Sequence, residues 1–405
     1  MSLYTLVFAI MALSNAAIPI LPELSRGESI AASLIFSAYF TGALIAMLPS
    51  GILADRYGNT RLIHTAAVLT LTAGIILTLS NNLWLILLAR FTEGLGAAAF
   101  FPAAFAILAE FEKKEQYIGE LNFLLNLGLG AGVFVAGIFA ETNMNAETNM
   151  KNGIVIFTTL SIIPLLLIWK LSKETKKEIV RSDQSTVGLK QILAKLRSTR
   201  IYRTLRKHQL NPKSQTRTKR YTSLHTKKTM SILIRPGLLS VWITAFILFG
   251  ATGAIISIYP DYAAEKIGKD ELGIYLSTVY IGAMITSIIG GHLKIQHDTV
   301  VRTGVLAAGI GALTTIVHPI GFALIGAGAG LGLIGLVSGI ANLATERGIT
   351  MGIFNTCTYT GLAALPILSG IAISITREEV IIIANSLLLL ATAVLPLKIL
   401  KRRYE

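Results

Sequence analysis

The 405-residue chain has a single cysteine, Cys357, and only 14% charged residues. One thiol excludes an intrachain disulfide. So few charges, set against 53% hydrophobic residues and a mean hydropathy of +0.65, exclude an ordinary soluble domain, whose surface must be wetted. Acids are scarcer than bases: 22 Asp and Glu stand against 36 Lys and Arg, a formal charge of +14. The six histidines, His64, His208, His225, His292, His297 and His318, show no His-x-x-x-His or Glu-x-x-His spacing, so no metal centre is expected. One "GLGLIG" at 330–335 fits a dinucleotide fingerprint, but no strand precedes it. Gly326, Gly330, Gly335 and Gly339 recur every four or five residues there, as helix packing in a membrane requires. Neither a cofactor nor an enzyme activity is expected.

What the chain has instead is long apolar runs. A helix of about 20 apolar residues crosses a hydrocarbon core about 30 Å thick and satisfies every backbone polar group within itself. Such runs cover 3–22, 31–54, 62–80, 83–110, 118–140 and 153–171, then 238–260, 272–293, 300–317, 319–345, 350–374 and 379–398. The first lacks the cationic start and small-residue cleavage site of a signal peptide and reads as a retained helix. The expected fold is an all-α membrane protein of twelve transmembrane helices in two six-helix halves, 1–171 and 236–405, joined by a linker at 172–235.

Charge orients these helices. With a cytoplasmic amino terminus, the inner loops carry 30 of the 36 Lys and Arg, and the outer loops five: Arg26, Lys151, Lys266, Lys269 and Arg377. The positive-inside rule then places both termini and the linker in the cytoplasm of a cell whose plasma membrane holds the protein. Residues 171–235 alone contribute 18 Lys and Arg against Glu174, Glu178 and Asp183. Within them Leu189, Ile192, Leu193 and Leu196 repeat at helical spacing beside Lys190, Lys195 and Arg197, a basic amphipathic helix suited to anionic lipid. Charge alone would also suit nucleic acid, but basic cytosolic loops are ordinary topology signals, so no nucleic-acid partner is expected.

A weak internal repeat relates the halves. "YFTGALIAMLPSGIL" (39–53) lies over "VYIGAMITSIIGGHL" (279–293) at an offset of 240, setting Gly42 on Gly282. "GELNFLLNLGLGAGVFVAG" (119–137) lies over "GIFNTCTYTGLAALPILSG" (352–370) at 233, and Pro22 and Pro260, taken as ending the first helix of each half, differ by 238. Two homologous six-helix halves are an architecture of secondary transporters, with the site between them at mid-membrane.

At this point a family resemblance enters. "GILADRYGNTR" (51–61) resembles the cytoplasmic signature of the major facilitator superfamily at Gly51, Leu53, Asp55, Arg56, Gly58 and Arg61. "RFTEGLGAA" (90–98) is similar to its second signature, with Glu93 where Gln is common, and "ERGITMGIFNT" (346–356) looks like its entry into the eleventh span. The resemblance implies a monomeric transporter working by alternating access. It also implies a latch in which Asp55 accepts from backbone N–H groups near Thr350 and holds the inner ends of the halves together. Gly51 and Gly58 are expected to permit tight turns and close approach there. In the second half, "GHLKIQHDTVVR" (291–302) has Ile295 where the acid would align, with Asp298 nearby, so the latch is expected to be asymmetric.

Arg90 and Glu93 lie three residues apart in the fourth run and so share a helix face. On a lipid face either would cost about 2.5 to 3.5 kcal/mol near the bilayer centre. They are expected to point into the space between the halves, at the depth of Asn15. A carboxyl group whose contact with an arginine changes during the cycle changes its proton affinity, which would make the pair the proton-coupling element; a permanent structural ion pair is the alternative. Asn15, Tyr39, Asn122, Asn126, Tyr280, Asn355 and Tyr359 are the polar residues expected to line the cavity, with Tyr259 to Tyr262 at its outer mouth. Glu23 and Glu110 are read as interfacial. Few charges suit a small, fairly apolar substrate.

The antiporter pattern Gly-x-x-x-Gly-Pro-x-x-Gly-Gly is incomplete at 128–137: Gly128, Gly132 and Gly137 remain, with Val133 for Pro and Ala136 for Gly, while Pro366 stands at the aligned position of the second half. "IPILPEL" and the first two signatures nevertheless favour a proton-coupled exporter. An uptake symporter or facilitator, and a non-transporting membrane sensor, are the alternatives.

Overall fold

The computed structural model describes residues 2–109, 114–141, 150–167, 236–292, 295–343, 347–395 and 397. The regular elements among them are all helical. In the first half they are α1 (Ser2–Ala16, prolonged by a 3-10 turn Ile18–Ile20 and a helical turn Leu21–Leu24), α2 (Ser29–Tyr57), α3 (Asn59–Leu79), α4 (Leu83–Ala109), α5 (Lys114–Glu141) and α6 (Asn152–Leu160). The second half has α7 (Pro236–Ala263), α8 (Lys269–His292), α9 (His297–Val317), α10 (Gly321–Leu343), α11 (Arg347–Ile373) and α12 (Glu378–Thr392).

Ten of these are long and apolar enough to cross a membrane; α6, with an apolar stretch Asn152–Leu167, and α12 complete the twelve. The spans expected at 153–171 and 379–398 run on past the described residues. Met1–Leu165 and Pro236–Glu405 form one compact unit. The other unit, Leu166–Arg235, lies almost wholly outside the described residues, and so does the expected amphipathic helix at 189–196.

Two boundaries differ from expectation. Pro260 does not end α7, which continues to Ala263. A proline removes one donor and leaves one carbonyl free, a loss that membrane helices tolerate when neighbours supply partners. The first span instead breaks before Pro22, at the 3-10 turn Ile18–Ile20, where Pro19 sits at the start of the turn.

Packing gives the internal repeat physical meaning. Association in lipid relies on close van der Waals contact, which small residues permit. A side chain at Gly42 would strike the Phe91 backbone of α4, and one at Gly282 would strike the Ala323 backbone of α10. Gly94 packs in the same way on Tyr39 of α2, and Gly326 on Val279 of α8. Gly128 lies on Phe8 of α1 and Gly361 on Phe246 of α7. Each contact in the first half recurs six helices later. α1 and α7 are the innermost helices, with 78% of their most apolar stretch buried, against 28% for α8 and α11.

The halves touch through α5 against α8 and α2 against α11. This contact also repeats: Gly137 lies on Lys269 and Gly273, and Gly370 on Ser29 and Ser33. Both sets lie at the end of the bundle that carries loops 25–28, 264–268 and 374–377. A side chain at Gly137 would come within 2.8 Å of Gly273 Cα, whereas one at Gly130, two turns away, would meet nothing on α8 nearer than 3.6 Å. α5 and α8 therefore come closest at that end, the closed end, and pack at ordinary van der Waals distance two turns away.

Gly94→Leu is expected to force α2 and α4 apart, with overpacking costing about 1 to 3 kcal/mol or more. Gly119→Ala, where a side chain would meet nothing within 4 Å, is expected to be tolerated. Thermal unfolding of the purified variants in detergent checks both.

Candidate functional site

The local sequence around Arg90 explains where its side chain goes. Gly42 and Gly94 bring α2 and α4 into backbone contact, which leaves no gap for a long side chain between them at that level. The guanidinium turns toward α1 instead. Its Nη1 donates to the Ser14 carbonyl at 2.8 Å and to Glu93 Oε2 at 2.5 Å, and its Nε donates to the Ile35 carbonyl at 3.3 Å. One cation thereby ties α1, α2 and α4 together. The Tyr39 ring lies 5.3 Å from the guanidinium carbon, within cation–π range.

Both members of the pair are closed off, Arg90 at 2% exposure and Glu93 at 0%. The expectation that they face the open space between the halves is therefore not met in this conformation: they lie within the first half, with Tyr39, itself 5% exposed, against Arg90. Glu93 Oε1 is buried and has no hydrogen-bond partner among the described residues. A buried acceptor without a partner is costly, so this oxygen is the chemically unfinished atom of the site.

The packing equivalence adds a comparison internal to the chain. Gly94 corresponds to Gly326, which puts Phe322 at the place of Arg90 and Ile325 at the place of Glu93. Both are fully buried. The second half therefore builds the same helix contact from apolar side chains alone.

A family model described as Major Facilitator Superfamily matches residues 2–230 and 241–405. The chain belongs to the major facilitator superfamily. It is 25% identical over 170 residues to the 4-hydroxybenzoate transporter PcaK of Pseudomonas aeruginosa, covering 41% of this chain and 37% of that protein. It is 38% identical over 77 residues to the multidrug resistance protein MdtL of Escherichia coli, covering 19% and 20%. The chain spans about two fifths of the length of the first curated relatives it matches. Among solved structures, a POT family transporter in complex with 5-aminolevulinic acid is similar at a TM-score of 0.68 and 14% identity, covering 97% of this chain and 94% of that one. That likeness shows the fold.

Within this superfamily member, the expected cavity residues fall into two groups. Asn15 Nδ2 donates to the Leu129 carbonyl at 3.1 Å and so joins α1 to α5, while the Tyr280 hydroxyl of α8 faces its side chain. Tyr39 and Phe40 on α2 lead to Tyr359 on α11, with 6.3 Å between the Phe40 and Tyr359 ring centroids. These residues lie where the halves meet. Asn122 and Asn355 are exposed, and Asn126 donates to the Asn122 carbonyl at 3.0 Å. The offset of 233 makes Asn122 and Asn355 equivalent, and Asn126 and Tyr359 likewise, so they form a matched polar set on α5 and α11.

The signature residues are placed in part. Gly58 adopts φ 92 and ψ 142 between α2 and α3, a conformation that disfavours any side chain. Gly51 makes no close approach, since a side chain there would meet nothing within 4 Å. Arg61 is exposed at the start of α3, and Thr350 is 3% exposed near the start of α11. The side chains of Asp55 and Arg56 lie outside the described residues, as does Glu110.

Two contacts have no counterpart in the sequence reading. The Tyr4 hydroxyl donates to Glu120 Oε2 at 2.7 Å beside a groove of about 430 Å³ lined by Gly119, Phe123 and Leu124. At the closed end, Lys269 Nζ lies 2.7 Å from Glu23 Oε1 across the two halves. The fixed offsets between helices are the signal that would have directed attention to Glu23.

Arg90→Leu alone leaves Glu93 buried without its cation and is expected to cost about 3 to 5 kcal/mol. Arg90→Phe with Glu93→Ile, which copies the second half, is expected to recover most of that loss in thermal unfolding.

Proposed function

We propose that this member of the superfamily is a proton-coupled exporter of a small, fairly apolar compound, operating by alternating access. The observation that carries the proposal is the buried Arg90–Glu93 pair at positions that the second half fills with Phe322 and Ile325. The fold does not need charge there. Two ionisable groups kept in a buried place that apolar residues can fill serve a purpose other than packing, and proton exchange is the chemistry available to them.

Glu93 Oε1 is the atom on which a proton would sit. Arg90 spans Glu93, the Ser14 carbonyl of α1, the Ile35 carbonyl of α2 and the Tyr39 ring, so a relative shift of these helices redistributes its donors. The path Tyr39, Phe40, Tyr359 links that environment to α11 of the other half. Movement between the halves, or substrate seated among these rings, thus changes what Glu93 experiences, and its proton affinity changes with it.

The closed end is taken as the outer one, by the distribution of positive charge. In the inward-open state that this implies, the latch of Gly51, Asp55, Arg56, Gly58, Arg61 and Thr350 is disengaged; it re-forms when the outer end opens. Asn122, Asn126, Asn355 and Tyr359 then line the inner vestibule, and Asn15 and Tyr280 lie at its end. The positive charge of the linker at 172–235 suits anionic lipid of the inner leaflet, which would orient a monomer. Relatives are named for multidrug resistance and for 4-hydroxybenzoate transport; the nearly uncharged vestibule favours an apolar cargo over a carboxylate.

Proteoliposomes separate the two directions. With an imposed proton gradient, an exporter moves labelled substrate opposite to the proton, whereas an uptake symporter moves it alongside. The Arg90→Phe, Glu93→Ile double variant is expected to insert normally and to lose gradient-driven accumulation. Accumulation at the native level would refute the role given to the pair.

A further inference from the structure

At the closed end, one lysine of the second half meets three acceptors of the first. Lys269 Nζ lies 2.7 Å from Glu23 Oε1 and donates to the Pro19 carbonyl at 3.1 Å, while its backbone N–H donates to Glu141 Oε2 at 2.7 Å. The internal repeat exposes an imbalance in this seal. The offset of 238 between α1 and α7 sets Asp261 at the place of Glu23, and the offset of 240 between α2 and α8 sets Ser29 at the place of Lys269. The acid is repeated and the cation is not.

Asp261 Oδ2 is buried without a hydrogen-bond partner among the described residues. The charges acting on Asp261 are Lys269 from α8, Glu23 from α1 and Glu378 from α12. Further along α7, Tyr259 packs on Thr315 of α9 and Phe322 of α10, and Gly253 on Phe36 of α2 and Leu362 of α11, none of these four neighbours titratable. Lys266 lies 3.6 Å from Glu379 and over the Tyr262 ring, so it is engaged elsewhere.

Lys269 and Asp261 belong to the same half, and Glu23 to the other. When the halves part at this end, Lys269 leaves Glu23 while Asp261 travels with it. We propose that Lys269 exchanges Glu23 for Asp261 as the closed end opens, and that Asp261 holds a proton while that end is shut. The proton comes from water on that side and bonds to Oδ2. On opening it returns to that water, and the resulting carboxylate pairs with the Lys269 ammonium. The closed state then binds one proton more than the open state, so acid favours closure. The inference rests on alternating access, but not on Glu93 or on the direction of transport.

The test uses the full chain carrying Cys357→Ser, with spin labels on Glu28→Cys and Glu265→Cys, one on each half beside the seal. Double electron–electron resonance then gives the closed and open populations in mildly acidic and mildly alkaline buffer. In this labelled background, acid is expected to raise the closed population. Asp261→Asn should hold the acidic distribution in both buffers, and Glu23→Gln, which weakens the closed-state pair alone, should lower the closed population in both. Ser29→Lys, which supplies the missing cation, should also keep the end shut and remove the pH response. Persistence of the background response in Asp261→Asn, or an undiminished closed population in Glu23→Gln, would overturn the proposal. A single unchanging distance in every variant would overturn alternating access along with it.

Discussion

Close backbone contact between helices is the constraint on which this molecule depends. Lipid supplies no hydrophobic drive for one helix to join another, so contact must be intimate to be worth making, and glycine makes it so. Gly42 with Gly94 and Gly282 with Gly326 fix the same crossing in the two halves, and Gly128 and Gly361 fix another. The contacts between halves use the same device at one end, through Gly137 with Gly273 and Gly370 with Ser33. α5 and α8 are in backbone contact there and less tightly packed at Gly130. Rocking of the halves about that contact is the motion that the proposed alternating access would use.

Against that apolar framework the charged groups stand out by their placement. Arg90 and Glu93 occupy a contact that the other half closes with Phe322 and Ile325. Lys269 collects acceptors from α1 and α5, and Asp261 repeats the position of Glu23 without repeating its partner. In each case the repeat provides the comparison: a position that is apolar, or lacks the matching cation, in one half is charged or paired in the other, so the shared packing does not itself require the charge. Both charged sites join elements that alternating access would shift, the first beside the Tyr39 to Tyr359 contact and the second across the closed end.

Much of the architecture was legible in the sequence because membrane helices announce themselves by length and because glycine positions survive in both halves. The alignment of Gly42 with Gly282 and of Gly128 with Gly361 reads directly as equivalent packing. The direction taken by Arg90 was not legible. Spacing of three residues says that Arg90 and Glu93 share a face, but a helix that is apolar all round gives no second landmark to say which neighbour that face meets. Pro260 misled for a related reason, since a proline that would end a helix in water is carried within one in a membrane. Glu23 and Lys269 look like ordinary interfacial charges in the sequence, and only folding across the two halves makes them a pair.

The central claim is that Glu93 carries the proton that drives transport. The most direct measurement is the pH change inside proteoliposomes, followed with a trapped pH-sensitive dye, when a transported substrate is added to native protein and to Glu93→Gln. The account predicts a substrate-dependent proton signal in the native protein and none in Glu93→Gln, while exchange of labelled for unlabelled substrate persists. A proton signal of native size in Glu93→Gln would contradict it.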